Sequence, residues 1–216
     1  MWSGLYGRVG VGLRAAAVFL TILAGSAAAQ PVAPQPSPSV ADLDAARRAA
    51  ERAHLWRVGS WGAANVAVGA ALLAASGRDA HPGRRAFGIQ SAAWGAVNAT
   101  IAAVALSRSG ADSLATLGSA LRAENGLGDV LWLNLGLDAG YAAVGATLWI
   151  VASRGVANPA AWRGHGQAVL LQGAALLALD AVVLAGSQRR LGALVDLAQA
   201  AVVVPTATGV ALLLRF

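Results

Sequence analysis

The chain has 216 residues, is 57% hydrophobic and only 12% charged, and has a mean hydropathy of +0.59. Soluble domains run nearer a quarter charged, so a bilayer is the expected place for the apolar excess. There is no Cys, which excludes disulfides, thiolate metal sites and cysteine nucleophiles, and the net charge of +6 comes entirely from Arg. Those arginines lie at the ends of apolar runs rather than along one polar face, which marks membrane boundaries and argues against a nucleic-acid partner.

Residues 1–29 read as a secretory signal, the alternative being an uncleaved first transmembrane helix. Arg8 and Arg14 form a basic start, Ala15 to Gly25 an apolar core, and Ala27-Ala28-Ala29 a small-residue cleavage site ahead of Gln30. Residues 30–39 form a Pro-rich tether, with Pro31, Pro34, Pro36 and Pro38. Ser39 followed by Asp42 is a helix start, and residues 40–57 are Ala/Arg/Asp/Glu-rich, as expected of a periplasmic or interfacial helix.

A membrane crossing needs about 20 apolar residues. Four runs over 58–187 qualify: Val58 to Ser76, Ala86 to Ser107, Asp129 to Ser153 and His165 to Ser187. Between the second and third, Leu114, Leu117 and Leu121 share a helical face, and Asn125-Gly126 is a stop signal, which predicts a short surface helix. Residues 188–190 are barely a loop. Leu191 to Leu214 would make a fifth span, interrupted by Asp196, Gln199 and Pro205, and its end from Gly209 to Phe216 also resembles the last strand of an outer-membrane barrel. The expected fold is therefore all-α: an integral membrane antiparallel bundle of four to five transmembrane helices.

Export through the leader puts the mature N-terminus in the periplasm and the domain in a bacterial inner membrane. The loops at 77–85 and 154–164 are then cytoplasmic, and their Arg78, Arg84, Arg85, Arg154 and Arg163 agree with the positive-inside tendency. Arg47, Arg48, Arg52, Arg57, Arg189 and Arg190 fall on the other side and run against it. Trp56, Trp132, Trp149 and Trp162 stand near the proposed boundaries, where amphipathic rings anchor helices.

Polar residues recur inside the runs. Trp61-Gly62-Ala63-Ala64-Asn65 is echoed by Trp94-Gly95-Ala96-Val97-Asn98. Asn134, Asp138, Tyr141 and Gly145 make one stripe of the third run, and Gln172 and Asp180 share a side of the fourth. Counted from the outer ends, Asn65, Asn98, Asn134, Asp138 and Asp180 fall roughly 7 to 14 Å below one surface, so a single polar layer is expected. Asn65, Trp94, Asn98, Asn134, Asp138, Tyr141, Gln172 and Asp180 are its candidate members. A carboxylate in hydrocarbon costs a few kcal/mol or more unless paired, protonated or wet, so Asp138 and Asp180 should face inward. Such a layer can fix helix packing, take up a proton, a cation or a small polar ligand, or support chemistry by the two acids. His54, His81 and His165 have no metal-ligand spacing, and there is no nucleophile elbow, phosphate loop or dinucleotide fingerprint. No metal, cofactor or catalytic residue is assigned.

Taken in order, Trp61-Gly62-Ala63-Ala64-Asn65, Trp94-Gly95-Ala96-Val97-Asn98 with Ile101-Ala102, Leu133-Asn134-Leu135-Gly136-Leu137-Asp138-Ala139-Gly140-Tyr141, and Gly166-Gln167 through Gln172-Gly173 to Leu179-Asp180 resemble an uncharacterised family of small bacterial multi-pass membrane proteins with a signal peptide. The resemblance covers Ser60 to Asp180 and implies a helical membrane domain of unknown function, without a substrate or cofactor.

Overall fold

The computed structural model describes residues 37–77, 80–108, 116–206 and 209–214, with backbone alone from 201 onward. The leader, most of the tether and Leu114 lie outside them. Four helices account for most of the rest: α1 (Val40–Ala75), α2 (Pro82–Arg108), α3 (Leu117–Val151) and α4 (Pro159–Ala200). Three of them, α1, α2 and α4, are long and apolar enough to cross a membrane. α3, which holds the third proposed span, is not among them: Asn134, Asp138 and Tyr141 interrupt its apolar stretch.

α1 begins with a capping box. The Ser39 hydroxyl accepts from the Asp42 backbone N–H, and the Asp42 carboxylate accepts from the Ser39 backbone N–H and hydroxyl. Those two bonds to the charged form hold the Asp42 carboxyl below its ordinary pKa. The helix then runs unbroken through the charged segment into the apolar one.

Two connections expected from sequence are absent. α3 starts at Leu117 and passes straight through Asn125-Gly126. An exposed Gly in a helix costs only about 1 kcal/mol, and here Ala120 is buried against Leu43 and Leu194 while Glu124 is bonded to Arg190. Tertiary packing outweighs the local stop. Likewise α4 continues through residues 188–190 to Ala200, because Arg190 and Leu194 extend the same interface.

The fifth span is not helical over most of its length. Ala201–Thr206 and Gly209–Leu214 pair as an antiparallel hairpin, with Val204 opposite Ala211 and Pro205 opposite Val210. The β-branched run Val202-Val203-Val204 favours strand, and Pro205 cannot sit in a helix interior but is tolerated on an edge.

α1 packs antiparallel on α2 and α3 antiparallel on α4, and α4 also packs against α2 and α1. Glycines let α1 and α2 touch backbone to backbone: a Cβ on Gly62 would lie 2.6 Å from the Gly95 carbonyl oxygen. α3 and α4 do the same at Gly145 and Gly166, and Gly173 lies against the Asp138 carbonyl. Beyond the reach of α2, the ends of α1, α3 and α4 form a three-helix head with its own small core of Leu43, Ala120 and Leu194. The buried Glu124 accepts two hydrogen bonds from Arg190, at 2.9 Å each, and pins α3 to α4 there. Asp44 pairs with Arg47 and Arg48 on α1.

Below the head, polar side chains are buried beside apolar ones such as Leu131, Val183 and Leu184, and large apolar side chains face outward. Asn65, Ser91, Asn98, Asp138, Gln172 and Asp180 are buried, while Ile101 is 58%, Leu133 63% and Val182 70% exposed. Buried polar groups together with an outward apolar surface are unusual for a soluble helical domain.

Candidate functional site

α4 carries the interior polar groups. His165, Gln172, Asp180 and Ser187 recur at intervals of seven or eight residues, which keeps them on one side of the helix. Each of the first three meets a different set of partners, so the polar residues form tiers along α4 rather than the single layer expected. Adjacent tiers are about 11 to 12 Å apart.

The middle tier is an amide network. The Trp61 indole N–H donates to Gln172 Oε1 at 2.8 Å, and Gln172 Nε2 donates to Asn65 Oδ1 at 2.5 Å. Asn65 Nδ2 returns to the Trp61 carbonyl oxygen at 2.8 Å. Trp61 and Asn65 are four apart on α1, so one helical face presents both to α4. Every heavy-atom polar group of the Gln172 side chain is used.

The tier nearer the head is ionic. His54 Nε2 lies 2.9 Å from Asp180 Oδ1, with both side chains buried. Asp138, also buried, stands close enough to be repelled by Asp180 and attracted by His54. Its Oδ2 has no hydrogen-bond partner, nor has His54 Nδ1. Two buried carboxylates and one imidazole therefore lie near one another, and only Asp180 is bonded to the ring. Fully ionised, the cluster carries one surplus negative charge in a low-dielectric setting. Among the described residues no group of three acidic or histidine side chains is arranged to hold a metal ion.

The third tier, at the other end of α4, joins His165 Nδ1 to Gln90 Oε1 at 3.2 Å.

The sequence candidates divide accordingly. Asn65 and Gln172 are bonded to each other, and Asp138 and Asp180 belong to one cluster. Trp94 and Tyr141 make a tilted ring contact, centroids 4.7 Å apart. Asn98 is buried with its Nδ2 unpartnered. Asn134 is half-buried and joins none of these groups. Sequence reasoning missed His54, which it left in an extramembrane helix. The signal was present: His54, Trp61 and Asn65 are spaced seven and four apart, one stripe with Gly62 and Gly69 beside it. The stripe was cut at the supposed boundary near residue 57.

A family of unknown function, DUF6992, matches residues 57–181. The chain belongs to that family. The DUF6992 match covers the region that carries the Trp/Asn echo and the two acids, including Asp138, Gln172 and Asp180, and stops short of His54 on one side and Arg190 on the other. No curated protein matches the chain, and no solved structure does.

Proposed function

We propose that this is an integral protein of a bacterial inner membrane, with its head in the periplasm, and that the His54–Asp180–Asp138 cluster takes up and releases a proton or a small monovalent cation. The observation that carries the reading is the charge imbalance: two buried carboxylates lie near one imidazole that bonds only Asp180, and neither Asp138 Oδ2 nor His54 Nδ1 has a partner. Burial of an uncompensated charge is costly, so the surplus negative charge calls for a counter-charge that can come and go.

Several features support the membrane setting. The exterior is apolar, and exposed Trp132 and Trp149 are about 26 Å apart along α3, near the thickness of a hydrocarbon core. The leader and the arginines of the loops at 77–85 and 154–164 favour a periplasmic head. The head's own arginines weigh less against this orientation than their number suggests, because Arg47, Arg48 and Arg190 are paired with acids.

The amide tier supports a different role. Trp61, Asn65 and Gln172 satisfy one another, which suits fixing of helix register rather than ligand binding.

Infrared spectroscopy of the reconstituted protein tests the proposal. Between about pH 4 and 9, a protonated-carboxyl band should appear on acidification and be absent from Asp138→Asn. If the ligand is a cation, added sodium should remove the band at fixed pH. The cluster is a purely structural device if all its carboxylates stay ionised across the range and neither proton nor sodium binding is detected.

A further inference from the structure

Where α2 ends beside α1, a groove of about 530 Å³ lies between the two helices. It belongs to none of the interior tiers. Its lining changes character along its length. Glu51 of α1 and Arg108 of α2 line it at the head end, and Ile101, Val104 and Ala105 of α2 make the remainder apolar. Thr100 also lines it, but its hydroxyl donates to the Ala96 carbonyl oxygen of its own helix. Ala102, next to Ile101, meets Gly59 of α1, so Glu51 and Arg108 both lie roughly 9 to 12 Å headward of the apolar end.

The charged end falls at the proposed membrane boundary. Leu131, beside the exposed Trp132, packs on Val183 and Leu184, one turn headward of Asp180. Asp180 bonds His54, and Glu51 is about one turn headward of His54, so Glu51 and Trp132 stand near one level. The two charges are not paired with each other. Glu51 accepts from Arg47 through Oε2, and its side chain remains 42% exposed. Arg108 is exposed and joins no ion pair among the described residues.

One cation and one anion at the boundary, with an apolar channel below them, match a phospholipid whose headgroup carries both signs. We propose that this groove binds one phosphatidylethanolamine. Its phosphate meets Arg108, its ammonium meets Glu51, and an acyl chain lies along Val104 and Ile101. Guanidinium–phosphate and carboxylate–ammonium hydrogen bonds are charge-assisted, about twice as strong as neutral ones. Phosphatidylcholine has no N–H to give Glu51, and phosphatidylglycerol brings no cation to it. The proposal rests on the membrane setting proposed above, but neither on the acid cluster nor on which side the head faces.

The test uses the full chain reconstituted in nanodiscs of equal phosphatidylethanolamine, phosphatidylcholine and phosphatidylglycerol with identical acyl chains. Release into mild detergent and native mass spectrometry then count the lipids retained. The expected result is one phosphatidylethanolamine per chain, preferred at least several-fold over the other two. Glu51→Gln should bring phosphatidylethanolamine down to the level of phosphatidylcholine, and Arg108→Gln should reduce retention of all three, both with unchanged helicity by circular dichroism. Val104→Trp, which fills the apolar part from an exposed position, should displace the lipid. Equal retention of the three headgroups by the unaltered chain overturns the proposal, as does a phosphatidylethanolamine preference that survives in folded Glu51→Gln. A chain that does not sediment with membranes at all overturns the membrane setting instead, so the two failures are distinguishable.

Discussion

At the level of single residues, the two buried acids are not equivalent. Asp180 is bonded to His54, whereas Asp138 has a free oxygen and feels repulsion from Asp180. Removing one member of a buried pair strands the other, which costs about 3 kcal/mol or more. Removing a repelled, incompletely bonded charge costs little. Asp180→Asn should therefore lower stability by about 3 kcal/mol, and Asp138→Asn should leave it within about 1 kcal/mol of the unaltered protein or raise it. Reversible unfolding in mixed micelles measures both, and equal losses for the two variants would contradict the asymmetry. The inward placement of Asp138 and Asp180 was legible in the sequence, because hydrocarbon tolerates a carboxylate only when it faces the bundle. Their neighbour His54 was not. A His in a charged segment looks solvated until the helix carrying it is known to continue past the membrane boundary.

At the level of the helices, close approach is set by glycines whose missing Cβ leaves room for a neighbour's backbone. A Cβ on Gly173 would lie 2.5 Å from Ala142 N and 2.6 Å from the Asp138 carbonyl oxygen. Gly140, on the same helix as Asp138, has nothing within 4 Å. Gly173→Val should separate α3 from α4, move Asp138 away from the cluster and destabilise the fold by more than about 3 kcal/mol. Gly140→Ala should be neutral or stabilise by up to about 1 kcal/mol through helix propensity alone. Differential unfolding of the two variants checks this, and a tolerated Gly173→Val would mean that the α3–α4 contact is looser than described. The apolar runs located all four helices, since length and hydropathy are properties of the chain itself. The head was not legible. Asn125-Gly126 carries a local stop signal and residues 188–190 interrupt the apolar run, and only the contacts among Leu43, Ala120, Glu124, Arg190 and Leu194, distant in sequence, show why the helices continue. The hairpin after Ala200 was legible in part, from Pro205 and the β-branched run before it.

At the level of the molecule, the division into a head and an apolar-faced bundle, set in the proposed membrane, makes a prediction about sidedness. The natural chain has no Cys, so single cysteines can be placed without a prior background substitution. Asn125 is exposed on the α3 part of the head, and Arg154 is exposed in the turn between α3 and α4. The two positions are 29 residues apart, about 40 Å if the helix is followed from one to the other, which exceeds a hydrocarbon core of about 30 Å. With the head in the periplasm, Asn125→Cys should react with a membrane-impermeant maleimide on intact spheroplasts, and Arg154→Cys only after permeabilisation. The reverse pattern would invert the orientation and carry the acid cluster to the cytoplasmic side, leaving its chemistry unchanged. Labelling of both positions on intact spheroplasts would mean that α3 does not separate two compartments, and the exposed Leu133, Trp132 and Val182 would then have to be covered by protein rather than lipid.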